Sequence, residues 1–246
     1  MKIIISPAKK MREDCDSIAP LGQPEFLERT SILLEYLRGL SYEGLKTLLQ
    51  CNDSIASLNY ERFRNMDLML GDTPAILAYE GIQYQYMAPE VFSCSQFHYI
   101  QKHLRILSGF YGVLKPFDGI VPYRLEMNAK LKMGFYRNLY DFWGDSLAKS
   151  LINDDTVLLN LASAEYSKAV VPYLDEHMRI INVVFGELDS GIVREKGVYV
   201  KMARGAMVRH LAEQNAEDLE AARNFSSLGF SYCAVRSNNR TLVFLK

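Results

Sequence analysis

The chain opens on an unbroken apolar run, Ile3-Ile4-Ile5 behind Lys2, closed by Ser6-Pro7. That pattern predicts a short strand at 2–5, buried on both faces. A polar loop with prolines and glycine follows at 8–24. From residue 25 the apolar spacing turns helical: Phe26, Leu33, Leu34, Leu37 and Leu40 share one face, with Thr30 its one polar member. Ser41 opens a second helical stretch to residue 50. Asn52 or Asp53 caps a third, 54–65, with Ile55, Leu58 and Phe63 as its apolar positions. Together these helices form an N-terminal insert, about 25–66, between the first strand and the next.

Beyond the insert, residues 75–79 read as a strand turning at Glu80-Gly81, with 84–86 as a short partner. A helix over 95–107 carries Phe97, Ile100, Leu104 and Leu107. Residues 111–114 and 121–125 are extended, and 139–151 is helical. The run 156–161, Thr-Val-Leu-Leu-Asn-Leu, is the clearest buried strand. A short helix at 164–170 and a strand at 179–187 come next. A strand at 198–202 then leads into a long helix from 203 to about 224. The chain closes on a hairpin, 232–236 with 241–245, turned at Asn238-Asn239. Repeats and linkers are absent. The mixture predicts an α/β (mixed α+β) fold with a mixed sheet, as a single compact domain over residues 1–246.

Composition narrows the class. With 49% apolar and 23% charged residues the chain is an ordinary folded protein, which excludes global disorder. No apolar run approaches the ~20 residues that cross a bilayer, and the N-terminus is too short in apolar residues for a signal peptide. A cytoplasmic protein without membrane contact is expected. Cys15, Cys51, Cys94 and Cys233 are dispersed without a C-x-x-C pair, and read as small buried hydrophobes. The four histidines are equally scattered, so no metal site and no cofactor is expected.

Charge changes the picture more. The sum is 28 bases against 29 acids, a formal −1, which excludes a protein basic throughout. Yet 101–140 holds seven bases and two acids, 192–210 holds five bases and one acid, and 65–100 holds no Lys or Arg. Many of the bases stand beside turns: Lys9 behind Pro7, Arg105 before Gly109, Arg124 behind Pro122, Arg204 before Gly205. Bases at element ends converge easily, as phosphate sites require, and a basic cleft on a neutral protein is the preferred reading.

Several segments carry candidate chemistry. Ser6-Pro7-Ala8-Lys9-Lys10 follows the first strand, where open α/β sheets place ligands, although the glycines of a P-loop are missing. His103-Leu-Arg-Ile-Leu-Ser-Gly-Phe-Tyr-Gly112 joins an apolar stripe to two glycines, Gly109 and Gly112, that allow close approach of a phosphate. It is close to a helix-hairpin-helix hairpin, with the spacing one residue longer. The alternative is a helix stop followed by a tight turn. In Val121-Pro-Tyr-Arg-Leu-Glu-Met127, Arg124 and Glu126 share one side, as an ion pair or as an anion site with Glu126 as base. Asn160-Leu-Ala-Ser-Ala-Glu-Tyr-Ser-Lys168 runs from a strand into a helix that Ser163 caps, with Glu165 beside it. Lys201-Met-Ala-Arg-Gly-Ala-Met-Val-Arg209 brings bases to another strand–helix junction.

In this order, the blocks Ile-Ser-Pro-Ala-Lys, Leu-Arg-x-Leu-Ser-Gly-x-Tyr-Gly, Pro-Tyr-Arg-Leu-Glu-Met, Phe-Trp-Gly, Asn-Leu-Ala-Ser-x-Glu-Tyr and Ala-Arg-Gly-x-Met resemble the YaaA family of bacterial peroxide-stress proteins across nearly the whole chain. Lys10 departs from a frequent threonine, Asn128 from a common glycine, and the C-terminal hairpin is short. The resemblance implies a cytoplasmic protein that limits free intracellular iron and so protects DNA and proteins from Fenton chemistry. It also implies a mixed α/β fold with a positively charged cleft, a helix-hairpin-helix-like element and DNA binding, duplex or distorted. The expected contacts are Lys9, Arg105, Arg124, Lys168, Lys201, Arg204 and Arg209, with Gly109 and Gly112 shaping the hairpin. Were the cleft instead that of an enzyme acting on a nucleotide or nucleic-acid component, Tyr123, Glu126, Ser163 and Glu165 are the candidate catalytic residues.

Overall fold

Ile3, Ile4 and Ile5 are completely buried, as a strand covered on both faces requires, and they lie in the interior of the main sheet. The structure is a computed structural model that describes residues 1–14, 18–151, 157–175 and 177–246. Its nine-stranded sheet comprises β1 (Lys2–Ile5), β2 (Leu104–Ser108), β3 (Gly112–Leu114), β4 (Val157–Leu161), β5 (Arg179–Asp189), β6 (Ile192–Arg194), β7 (Ser226–Ser227), β8 (Phe230–Tyr232) and β9 (Thr241–Leu245). The spatial order is β7-β8-β9-β5-β4-β1-β2-β3, with β6 paired to β5. Strands β2, β1, β4, β5 and β9 run parallel, and the others are antiparallel additions. The architecture is a compact mixed α/β fold.

One property of that order positions the site. The chain leaves β1 toward β2 on one side, whereas β4 continues to β5 on the other. β1 and β4 are neighbours in register, Ile5 beside Leu161, and their outgoing connections diverge. A crevice opens beyond the carboxyl ends of two such strands, where open α/β sheets bind ligands.

The N-terminal insert is three helices, Leu27–Gly39, Tyr42–Leu49 and Asp53–Asn65. Ser41 and Asn52 cap the second and third through side-chain acceptance of a backbone N–H. Thr30, the polar residue on the apolar face, is fully buried and donates its hydroxyl to the carbonyls of Phe26 and Phe110, so its polarity is satisfied. Arg29 reaches across to the Phe142 carbonyl and packs over the Trp143 ring, which pins the insert to the sheet's β3 edge.

Several segments differ from the sequence pattern; the helix expected to run to about 224 stops at Glu213, with Leu219–Arg223 a separate helix, and Ala234–Arg236 of the expected 232–236 strand is a 3-10 turn. The helix expected over 95–107 ends at His103, and Leu104–Ser108 is β2. An apolar run of that length suits either state, and burial beside β1 decides for the strand. Residues 75–79, read as a strand, form the helical turn Ala75–Ala78, with Tyr79–Glu80 pairing to Lys10–Met11. The expected strand at 84–86 lies within the helix Ile82–Met87. The expected strand at 198–202 is the start of one helix, Gly197–Glu213: Val200, Ala203, Met207 and Leu211 are its buried stripe, and that spacing overrides the β-branched residues at its start. Thr156, the first residue of the expected 156–161 strand, lies outside the described residues, as does Cys15. Cys94 is exposed, and Cys51 and Cys233 are half-buried, so these thiols are not the core hydrophobes expected.

Candidate functional site

Ser6 ends β1 and Ser163 follows β4, and the two meet. The Ser163 N–H donates to Ser6 Oγ at 2.9 Å, and the Ser6 hydroxyl donates to Ser163 Oγ at 3.2 Å. The Tyr84 hydroxyl donates to the Ser6 carbonyl at 3.0 Å, which ties the helix Ile82–Met87 to the same point. Around this junction lies a cleft of about 410 Å³. Lys9 and Lys10 enter it from the loop after β1, Arg124 and Glu126 from the 121–127 segment, Glu165 and Tyr166 from beyond β4, and Lys201 and Arg204 from the helix Gly197–Glu213. Glu80, Gln83 and Tyr84 close the remaining side. Among the described residues, five cationic and three anionic side chains line it, a net charge of +2.

Part of that charge is committed. Glu126 Oε1 accepts from Lys9 Nζ at 2.7 Å and from Arg124 Nη2 at 3.1 Å, and Lys10 Nζ lies 2.8 Å from Glu80 Oε2. Glu126 therefore serves as the anchor of two cations. Glu165 Oε1 accepts the Asn128 N–H at 3.2 Å. Arg204 has no carboxylate within ion-pair distance among the described residues, and burial lowers its hold on its proton from the ordinary arginine value. Gln83 stands beside Arg204's neighbour: a Cβ on Gly205 would lie 2.0 Å from the Gln83 carbonyl oxygen. Only glycine permits that approach.

Aromatic residues supply the apolar walls. Tyr123 is buried, its hydroxyl 2.8 Å from that of Tyr79 and 2.5 Å from Ser108 Oγ. Burial pushes its phenol up to about 12, so it stays protonated. Tyr84 and Tyr166 are driven up in the same direction by the same cause. Among the described residues, neither Ser6 nor Ser163 has a basic side chain in hydrogen-bond reach, and no group of three or more His, Cys, Asp or Glu side chains is placed to hold a metal. No helix among them is long and apolar enough to cross a membrane.

The cleft unites Lys9, Arg124, Lys201 and Arg204 with Tyr123, Glu126, Ser163 and Glu165. The other candidates lie elsewhere. Arg105 sits in β2 at 8% exposure, its Nη1 donating to the Gln101 and Leu104 carbonyls at 3.1 and 2.6 Å. Every residue from His103 to Leu114 is buried, and the segment is a β-hairpin where a helix-hairpin-helix-like element was expected. Its glycines serve packing. A Cβ on Gly109 would lie 2.6 Å from the Leu125 carbonyl oxygen, and Gly112, at φ +78°, faces Trp143, Leu147 and Phe26. Lys168 lies 5.1 Å over the Tyr140 ring, and Arg209 pairs with Glu213 at 2.8 Å. Gln83 and Glu80 escaped the sequence reading because they fall in 65–100, the stretch without a base.

The family model for the peroxide stress protein YaaA matches residues 1–236. A UPF0246 protein of Desulfitobacterium hafniense is 59% identical over 246 residues, covering 100% of this chain and 98% of that protein. UPF0246 proteins of Lachnoclostridium phytofermentans and Lactiplantibacillus plantarum are 51% and 49% identical, each over 100% of this chain and over 96% and 99% of their own lengths. A family model over residues 1–236 and relatives of this identity along their whole lengths place the chain in the peroxide stress protein YaaA family.

Proposed function

We propose that the chain acts in the response to hydrogen peroxide by binding nucleic acid at the β1–β4 cleft, one nucleotide unit at a time. A single observation carries this reading: a cleft of about 410 Å³ with a net charge of +2 stands at the point where the sheet's connections diverge. Its volume falls in the ~300–1,000 Å³ range of small-ligand sites, so an intact duplex stays outside. A nucleotide unstacked at a distorted or damaged position fits the size, with tyrosines for its base and cations for its phosphate. The contact set narrows to Lys9, Arg124, Lys201 and Arg204. In the cell this binding accompanies a lower level of free iron, and less Fenton damage to DNA and protein follows.

The test is fluorescence anisotropy with a single strand, an intact duplex and a duplex carrying a bulged nucleotide. The bulged duplex and single strand are expected to bind more tightly than the intact duplex. Arg124→Gln should weaken both, while Lys149→Gln, at an exposed base outside the cleft, should not. Equal affinity for all three, or indifference to Arg124→Gln, refutes the reading. In a strain lacking the protein, the same Arg124→Gln gene should fail to restore peroxide survival and low free iron.

A catalytic reading in the same cleft is favoured by Glu165, whose Oε2 makes no hydrogen bond among the described residues while Oε1 is held by the backbone. A carboxylate so placed can exchange a proton with a bound nucleotide. Glu165→Gln with intact affinity and lost peroxide protection supports catalysis; retained protection removes it.

A further inference from the structure

Buried donors in the cleft wall lack acceptors. Gln83 is 7% exposed and its Nε2 makes no hydrogen bond among the described residues, and Nε of Arg124 and of Arg204 are likewise buried and unpartnered among them. The other such atom among the described residues, Asn59 Oδ1, lies on the insert. Folded proteins leave few buried polar groups unsatisfied, because each forfeits its hydration without return. Three such donors belong to side chains that line one cleft, and a ligand that brings several acceptors satisfies them once those side chains turn toward it.

Charge narrows the ligand. Lys9, Arg124 and Lys10 are matched by Glu126 and Glu80. Lys201 and Arg204, one helical turn apart, have no carboxylate within ion-pair distance among the described residues. A phosphodiester carries a single negative charge. A phosphomonoester carries nearly two at neutral pH and offers three acceptor oxygens, which suits both the net +2 of the cleft and its unpartnered donors.

We infer that the cleft recognises a terminal phosphomonoester on a nucleotide-sized body, with Gln83, Arg124 and Arg204 donating to its oxygens and Lys201 adding charge. The inference rests on the nucleic-acid reading above and sharpens it: the unit that enters is a phosphorylated strand end or a free mononucleotide. Glu165 faces the same space and suits a hydroxyl or amine donor on the ligand's uncharged part.

The probes are thymidine 5′-monophosphate, thymidine, and thymidine tetranucleotides with and without a 5′-phosphate, titrated by calorimetry. The phosphorylated forms should bind at least about tenfold more tightly than their 5′-hydroxyl counterparts. Gln83→Leu should reduce that preference about three- to tenfold with little effect on the hydroxyl forms. Lys201→Gln, at an exposed position where folding is not at stake, should reduce it too. Comparison of the mononucleotide with the phosphorylated tetranucleotide tells a free nucleotide from a strand end. Equal binding of phosphorylated and hydroxyl forms overturns the inference, as does a preference that survives both substitutions. If that happens while a bulged duplex still binds in an Arg124-dependent manner, the nucleic-acid reading stands and the monoester falls. If thymidine 5′-monophosphate binds with the stated preference and no DNA does, the monoester stands and the nucleic-acid reading falls.

Discussion

Gly205 shows how one hydrogen atom in place of a methyl group sets the cleft. Its missing Cβ lets the helix Gly197–Glu213 lie against the Gln83 carbonyl, so Arg204 and Gln83 reach the same wall. Gly205→Ala forces backbone against backbone and is expected to cost about 1–3 kcal/mol in urea unfolding and to weaken ligand binding. Wild-type stability and binding in that variant would show that the helices part without consequence. Asp118 is a second case. Its carboxylate is 5% exposed and accepts the Lys115 N–H at 2.8 Å, and burial pushes its pKa from 3.8 up to about 6. The folded state thus holds this proton more tightly than the unfolded state. Above pH 6 the buried charge costs about 2–3 kcal/mol, and that cost is relieved as pH falls from 6 toward 4. Asp118→Asn keeps an acceptor for Lys115 without the charge. It should unfold at higher urea than wild type at pH 7.5, with the gap closing by pH 4.5; a gap independent of pH contradicts the assignment.

At the scale of elements, legibility followed the kind of signal each segment carried. The insert was readable because its helices announce themselves twice, by apolar spacing and by side-chain caps. Asn52 accepts the Ile55 N–H at 3.0 Å, and Asn52→Ala should lower thermal stability by about 1 kcal/mol. No change in melting temperature would mean that packing alone fixes that end. β1 and β4 were readable as continuous apolar runs, and with them the loops that supply Lys9, Ser163 and Glu165. The segments that misled are those where two periods fit equally. Leu104, Ile106 and Leu107 satisfy a helix extended from His103 as well as a strand, and only β1, a hundred residues upstream, decides. Val198 and Val200 look like a strand until Ala203, Met207 and Leu211 are counted with them. The site inherited both outcomes. Lys9 and Arg124 lie in loops read correctly and line one cleft with Lys201 and Arg204, which come from the helix whose start reads as a strand, while Lys168 and Arg209 lie outside it. Arg105, Gly109 and Gly112 also lie outside it, because the segment that holds them is a buried hairpin. Gln83 was invisible for another reason: an uncharged amide in a base-free stretch gives no sign until a fold sets it beside Arg204.

For the whole molecule, the near balance of 28 bases and 29 acids coexists with a cleft of net charge +2 among the described residues because the bases converge on it from three separate segments. A surface this small contacts few phosphates. The logarithm of single-strand affinity should therefore fall with the logarithm of salt at a slope of about −0.7 per phosphate, near −1 to −2 in all. A slope steeper than about −5 would reveal a binding face far wider than the cleft.

The hydrogen bond between Ser6 and Ser163 joins residues 157 positions apart, and Arg204 arrives later still. Loop closure over such distances comes late, after many local contacts have formed. During synthesis, the lysines after β1 leave the ribosome long before β4 and the helix that carries Arg204. The early chain therefore displays Lys9 and Lys10 without the cations that stand across the cleft from them in the folded protein. On the proposed reading, the cleft forms only after the helix that carries Arg204 has been made and has folded into the cleft wall, so binding activity in an extract would count folded molecules.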